Sequence, residues 1–273
     1  MLNDPAYVRE QYRASNNLTA RIALHERFST APRDWFDWYF DRLDLPMNAR
    51  VLEVGCGVGE LWKHNRARIP ATWQITLTDF SFGMIEQSRA ANIATRLAQC
   101  DAQNLPFEFE CFDAVIANHM LYHVPDIARA LAQFKRVLRR GGKFYAATNG
   151  ATHMREYFQL IAEFRATEPT FPQLTFTLEN GAAQLAHAFA DVRRFDFDDA
   201  LSVTETEPLV AYALSGAISK ALSERADALR DFIAARIARD GAIRIKKSSG
   251  LFVGAQVARR GVERLPHGFS KVT

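Results

Sequence analysis

The stretch Val51-Leu52-Glu53-Val54-Gly55-Cys56-Gly57-Val58-Gly59-Glu60-Leu61, with Ile75-Thr76-Leu77-Thr78-Asp79-Phe80-Ser81 after it, decides how this 273-residue chain is read. A short aliphatic run ends in a glycine-rich turn that becomes the first turn of a helix. A second aliphatic run then delivers one carboxylate, Asp79, at its end. Glycines at such a turn accept φ > 0 and bring main chain close to a ligand with no Cβ in the way. The helix start adds unpaired N–H groups and a partial positive charge. An acid about 20 residues on, at the end of the next strand, is placed to accept hydrogen bonds from a ribose diol. The reading is a nucleoside-binding crevice. A dinucleotide fingerprint needs a third glycine where Glu60 stands, and an acid before the first glycine, Glu53, would repel a pyrophosphate but suits a cationic amino-acid head.

Outward from this stretch the pattern alternates. The first strand is read at Arg50–Val54, a helix at about Val58–Arg68 and the second strand at Gln74–Thr78. Ser81 is placed to cap a helix carrying Met84. A short third strand is expected near Ala94–Gln99 and a fourth at Phe112–Ala117. Asp126 then opens a helix with Ile127, Leu131, Phe134 and Leu138 at helical spacing. Arg139-Arg140-Gly141-Gly142 reads as that helix's end, basic side chains at the dipole and glycine beyond. The fifth strand is Lys143–Ala147. Strands alternating with helices argue an α/β fold, a doubly wound and mostly parallel sheet. Further on come a helix over about Thr152–Ala166, a connector at Glu168–Phe176 and a Thr177-capped helix through Phe189. A strand at Asp191–Asp198, helices near Glu207–Ser219 and Ala221–Arg239, and a last strand at about Gly250–Val257 complete the chain.

Hydrophobic residues make up 48% of the chain and charged ones 24%, ordinary for a globular protein. A net charge of +3 is too small to argue for nucleic acid. Cys56, Cys100 and Cys111 have neither disulfide nor metal spacing, so a reduced compartment, no metal site and a cytoplasmic location are expected. No apolar run reaches the roughly 18–20 residues of a membrane span.

Motif and order together resemble the class I S-adenosylmethionine-dependent methyltransferases, of the small-molecule type. Glu53-Val54-Gly55-Cys56-Gly57-Val58-Gly59 resembles their first motif. Four later features fall in the same order: Asp79 after strand two, Asp101-Ala102 after strand three, Asn118-His119-Met120-Leu121-Tyr122-His123 after strand four, and Leu138-Arg139-Arg140-Gly141-Gly142 before strand five. The resemblance covers about Ala49–Asn149. It implies a Rossmann-like seven-stranded sheet and S-adenosyl-L-methionine as cofactor. It also implies that Glu53, Gly55, Cys56 and Gly57 hold the methionine half, Asp79 the ribose, Phe80 and Met84 the adenine faces, and Asp101 and Ala102 the adenine edge. Asn118 is expected beside the methionine moiety, and His119, Tyr122 and His123 where a small-molecule methyl acceptor enters. Trp62 is read as packing.

Residues 1–46 are expected to form an N-terminal helical lid segment in which Tyr12, Arg21 and His25 are candidates to face the pocket. Residues 47–200 are the core, 201–243 a helical insertion adding to the lid, and 244–273 the last core strand and tail. The aromatic side chains Trp35, Trp38, Phe158, Phe171 and Phe176 suggest an apolar or aromatic acceptor. Rival readings are a nucleic-acid methyltransferase, which would want an Asn/Asp-Pro-Pro-aromatic run after strand four, a non-methylating cofactor-binding enzyme of the same fold, and a nucleoside-sensing module.

Overall fold

The computed structural model describes residues 3–4, 16–90, 92, 96–216 and 218–256. Tyr12 and the tail beyond residue 256 lie outside the described residues. Ahead of the sheet come α1 (Asn16–Phe28) and α2 (Trp35–Phe40). Asp34 starts α2 by accepting the Phe36 and Asp37 N–H groups at 2.6 and 3.3 Å.

The sheet is built from β1 (Arg50–Val54), β2 (Gln74–Asp79), β3 (Arg96–Gln99), β4 (Phe112–Asn118) and β5 (Leu138–Asn149), mutually parallel. Between them run α3 (Glu60–His64), α4 (Phe82–Ala90) and α5 (Ile127–Val137). After β5 come α6 (Arg155–Arg165), α7 (Gly181–Ala186) and β6 (Ala190–Phe197). The chain ends its described part with β7 (Ala200–Val203), α8 (Thr206–Leu214), α9 (Ser219–Ser223), α10 (Ala226–Asp240), β8 (Ile243–Lys246) and β9 (Ser249–Ala255). Seven strands stand in the order β3-β2-β1-β4-β5-β9-β6, with β9 antiparallel to both neighbours.

The aliphatic runs of β1 and β4 follow from burial on both faces. Leu52, Val54, Val115 and Ala117 pack on one side with Leu131, Phe134 and Phe144, while Val51, Ala114 and Ile116 pack on the other with Leu61, Trp62, Ile75 and Leu77. A third cluster lies apart from the sheet: Leu24 and Phe28 of α1 meet Tyr157, Leu201, Leu209, Leu229 and Ile245. The first helix and the 198–248 segment therefore share one core above the strand ends.

Four local readings are corrected. The helix expected over Val58–Arg68 is two pieces, α3 and a 3-10 turn at Arg66–Arg68. The helix after Thr177 is only α7. Arg139-Arg140-Gly141-Gly142 does not cap α5: Leu138 already pairs with Phe112, and these residues form an irregularity inside β5. Arg139 pairs with Asp113, and Arg140 with Glu110 at 3.1 Å. The segment read as helical between β6 and β9 also carries the antiparallel pair β7–β8. No helix among the described residues is long and apolar enough to cross a membrane.

Candidate active site

From the end of β1 the chain turns through Gly55, Gly57 and Gly59 at φ of 69°, 55° and 80°. The Gly57 N–H donates to Asp79 Oδ2 at 2.9 Å and the Ser81 N–H to Oδ1 at 2.8 Å. The acid of β2 thus stitches the glycine turn while each oxygen keeps a lone pair for a further donor. At Gly55 the demand for glycine comes from the protein itself: a Cβ there would stand 2.7 Å from Met120 Cβ, in the loop after β4. Glu53 is 2% exposed, and Trp62 Nε1–H donates to its Oε2 at 2.5 Å. Trp62, read as packing, is therefore also Glu53's polar partner. Burial pushes the Glu53 carboxyl up to about 8, against that hydrogen bond and helped by nearby Asp79. Burial raises Asp79 as well, opposed by its backbone donors.

A cavity of about 930 Å³ runs from the glycine turn to the cluster shared by α1 and the 198–248 segment. Glu53, Gly55, Cys56, Gly57, Asp79, Phe80, Asp101, Ala102 and Asn118 all reach it. Burial keeps the Cys56 thiol far above its ordinary value, hence protonated. Asp101 Oδ1 accepts the Gln103 N–H at 2.8 Å and its side-chain amide at 3.1 Å, and Gln103 joins the wall. Asn118 Oδ1 is buried with no hydrogen-bond partner, an acceptor that awaits a donor. Met84 is the exception: buried on α4, it is not part of the cavity wall. Helix-core packing claims it, and Phe80 alone of the expected pair faces the cavity.

His119, Tyr122 and His123, in the loop after β4 that abuts the glycine turn, also line the cavity. His119 has φ 53° and its ring lies 5.2 Å from Trp35; the Tyr122 and His123 rings meet edge-on at 4.6 Å. Burial, with Lys247 and His123 adding, lowers His119 to about 4, so its ring is neutral. Two further histidines share this wall. His25 of α1 lies 6.3 Å from His153, which follows β5. Burial lowers His25 to about 3 and holds His153 well below its usual value. His153 Nδ1 meets the Ser248 main chain at 3.1 Å. Lys247, also on the wall, pairs with Asp199 at 2.5 Å. His153 escaped the sequence reading because no local spacing links it to the other site residues. Of the five aromatic side chains expected over the pocket, Trp35, Phe158 and Phe171 line it, whereas Trp38 and Phe176 are buried in the sheet's core. Among the described residues no group of three His, Cys, Asp or Glu is arranged to hold a metal ion.

A family model described as a methyltransferase domain matches residues 52–146. The chain is 27% identical over 168 residues to the ubiquinone/menaquinone biosynthesis C-methyltransferase UbiE of Xylella fastidiosa, covering 59% of this chain and 66% of that one. It is 32% identical over 162 residues to the malonyl-[acyl-carrier protein] O-methyltransferase of Geobacter sulfurreducens, covering 55% and 59%. The chain thus spans just under two thirds of the relatives' own length. In structure it is similar to the [4+2]-cyclase SpnF, with a TM-score of 0.58 at 19% identity over 92% of this chain and 96% of that one. Residues 52–146 are thus similar to the methyltransferase-domain family, and the seven-stranded sheet that carries them has the fold of the solved methyltransferase-like structures.

Proposed function

We propose that the chain transfers the methyl group of S-adenosylmethionine to a small-molecule acceptor by in-line displacement. The observation that carries this reading is the single cavity joining the acids of β1 and β2 to a wall of aromatic rings and histidines. Its volume of about 930 Å³ lies near the top of the range typical for ligand sites. Its residues fit the cofactor. Glu53 and the unpartnered Asn118 Oδ1 accept its ammonium, and Asp79 the ribose diol. Phe80 covers an adenine face, while Asp101 and the Ala102 N–H read the adenine edge. When bound, S-adenosylmethionine supplies a methyl group on a positively charged sulfur.

The chain's own contribution is alignment, which supplies roughly 7–11 kcal/mol of barrier reduction. A general base typically adds only about 10²–10⁴-fold. His119, neutral at pH 7, accepts a hydrogen bond from the acceptor, and Tyr122 and His123 position it. The described parts of residues 1–46 and 201–243 act as the lid that keeps water out. The three free cysteines fit work in a reducing, cytoplasmic setting.

Asp79→Ala tests the reading: losing hydrogen bonds to a charged acceptor should weaken S-adenosylmethionine binding about 10–100-fold by calorimetry. Unchanged affinity overturns the ribose assignment. A second reading, a cofactor-binding enzyme that does not methylate, is favoured by the structural likeness to a cyclase. Tight cofactor binding without S-adenosylhomocysteine formation across an acceptor panel would select it.

A further inference from the structure

We propose that the acceptor carries a carboxylate, and that Arg21 of α1 holds that group at the lid end of the cavity. This rests on the methyltransferase reading above and adds the acceptor's chemical class.

Arg21 lines the cavity. Its Nε–H donates to Ser215 Oγ at 3.1 Å and its Nη2 to the Ser215 carbonyl at 2.6 Å. A guanidinium has five N–H groups, so three remain, together with the full charge. Both present partners are neutral, and no carboxylate among the described residues pairs with Arg21. The other cations of the wall differ: Lys247 is matched by Asp199, and Arg165 is exposed at the rim.

Arg21 acts electrostatically on His25, Tyr157 and Tyr212. None of these supplies a negative charge. Burial keeps both phenols protonated, and His25 is neutral. A half-buried cation with no counter-charge among the described residues, in a largely apolar cavity, is costly, and a ligand anion removes that cost. A carboxylate suits it best because the planar guanidinium fork matches its two oxygens. One guanidinium balances one negative charge, which disfavours a phosphate dianion. Ile22, Phe158 and Ile161 beside it call for an apolar or aromatic body on the same ligand.

The anion is a handle and not the methylated group. His119, at the end of β4 where the methyl is offered, feels Lys247 and His123. Arg21 acts instead on lid-side groups.

The test uses the full chain saturated with S-adenosylhomocysteine and titrated in a calorimeter. The probes are 1-hydroxy-2-naphthoic acid and its carboxamide, equal in shape and different in charge. The acid should bind about 10-fold or more tightly than the amide, the scale of one charged hydrogen-bonded contact. Arg21→Gln should bring the acid down to the amide's affinity while S-adenosylhomocysteine affinity holds, which also shows that the variant is folded. Ser215→Ala, which leaves the guanidinium in place, should keep the preference. Equal binding of acid and amide to the unaltered chain, or a preference that survives Arg21→Gln, overturns the proposal. If S-adenosylhomocysteine itself does not bind, the methyltransferase reading fails instead, so the two failures are told apart.

Discussion

Glu53 lies almost wholly out of water on β1, with Trp62 donating to one oxygen and Asp79 close enough to oppose its ionisation. Its carboxyl is pushed up to about 8, so in the ligand-free protein it is mostly protonated at pH 7. A bound ammonium reverses the balance, because an opposite charge within a few ångströms favours the ionised form. Cofactor binding at pH 7 should therefore release close to one proton. Titrations at pH 7 in buffers of different ionisation enthalpy measure it: the observed heat should vary with the buffer, and the variation should shrink at pH 9. Glu53→Gln should abolish it at both. Buffer-independent heats for the unaltered chain would mean either that no cation reaches this carboxyl or that it is already ionised in the ligand-free protein. Trp62 matters here because its hydrogen bond lowers Glu53. It keeps the acid within reach of ionisation when the ligand arrives.

The elements over the cavity are fastened at one carboxylate. Asp199, between β6 and β7, accepts at Oδ1 from Ser29 Oγ at 2.8 Å, Thr30 N at 3.2 Å and Ala31 N at 3.1 Å, just past the end of α1. Its other oxygen takes the Lys247 ammonium, and the two side chains are 0% and 9% exposed. Removing one partner of a buried pair strands the other charge, at a cost of about 3–5 kcal/mol. Asp199→Ala should lose stability on that scale in urea unfolding, and Asp199→Ala with Lys247→Met should recover most of it. Faster amide exchange at Ala31 should persist in both, because its Asp199 acceptor is gone, whereas Thr30 keeps the Ala200 carbonyl at 2.8 Å. If the double variant is no more stable than the single one, the ion pair is not what closes the lid. None of this fastening was legible in the sequence, where Ser29, Asp199 and Lys247 share no spacing or motif. β1, β2 and β4 were legible because strands buried on both faces read as aliphatic runs, and the glycine turn is local. Arg139-Arg140-Gly141-Gly142 misled because basic residues followed by glycine mark a helix end and a strand irregularity alike. β7 and β8 were missed because each is only four residues long and its partner lies some 40 residues away.

Taken as a whole, the cavity gathers ionisable groups that folding shifts in opposite senses, and the sum sets how stability follows pH. His25 at about 3, His119 at about 4 and His153 well below its ordinary value hold fewer protons folded than unfolded. From about pH 4 to the unfolded histidine value near 6.5, the unfolded chain binds more protons, so stability rises with pH. Glu53, at about 8, and Asp79, raised in the same sense, hold more protons folded than unfolded. Their effect runs the other way: stability falls as pH rises, for Glu53 from about 4.5 to about 8. Below about 6.5 three histidines outweigh two carboxyls; above it the histidine contribution is spent and that of Glu53 continues to about 8. The ligand-free protein should therefore be most stable near pH 6.5, with Tm dropping on both sides in calorimetric scans from pH 5 to 9. Saturation with S-adenosylmethionine should flatten the alkaline limb, since Glu53 is then ionised in the folded state too, and leave the acid limb in place. A ligand-free Tm that climbed steadily through pH 8 would show that Glu53 is ionised before any ligand arrives. The proton release expected at pH 7 would then vanish with it, since both effects come from the same buried carboxyl.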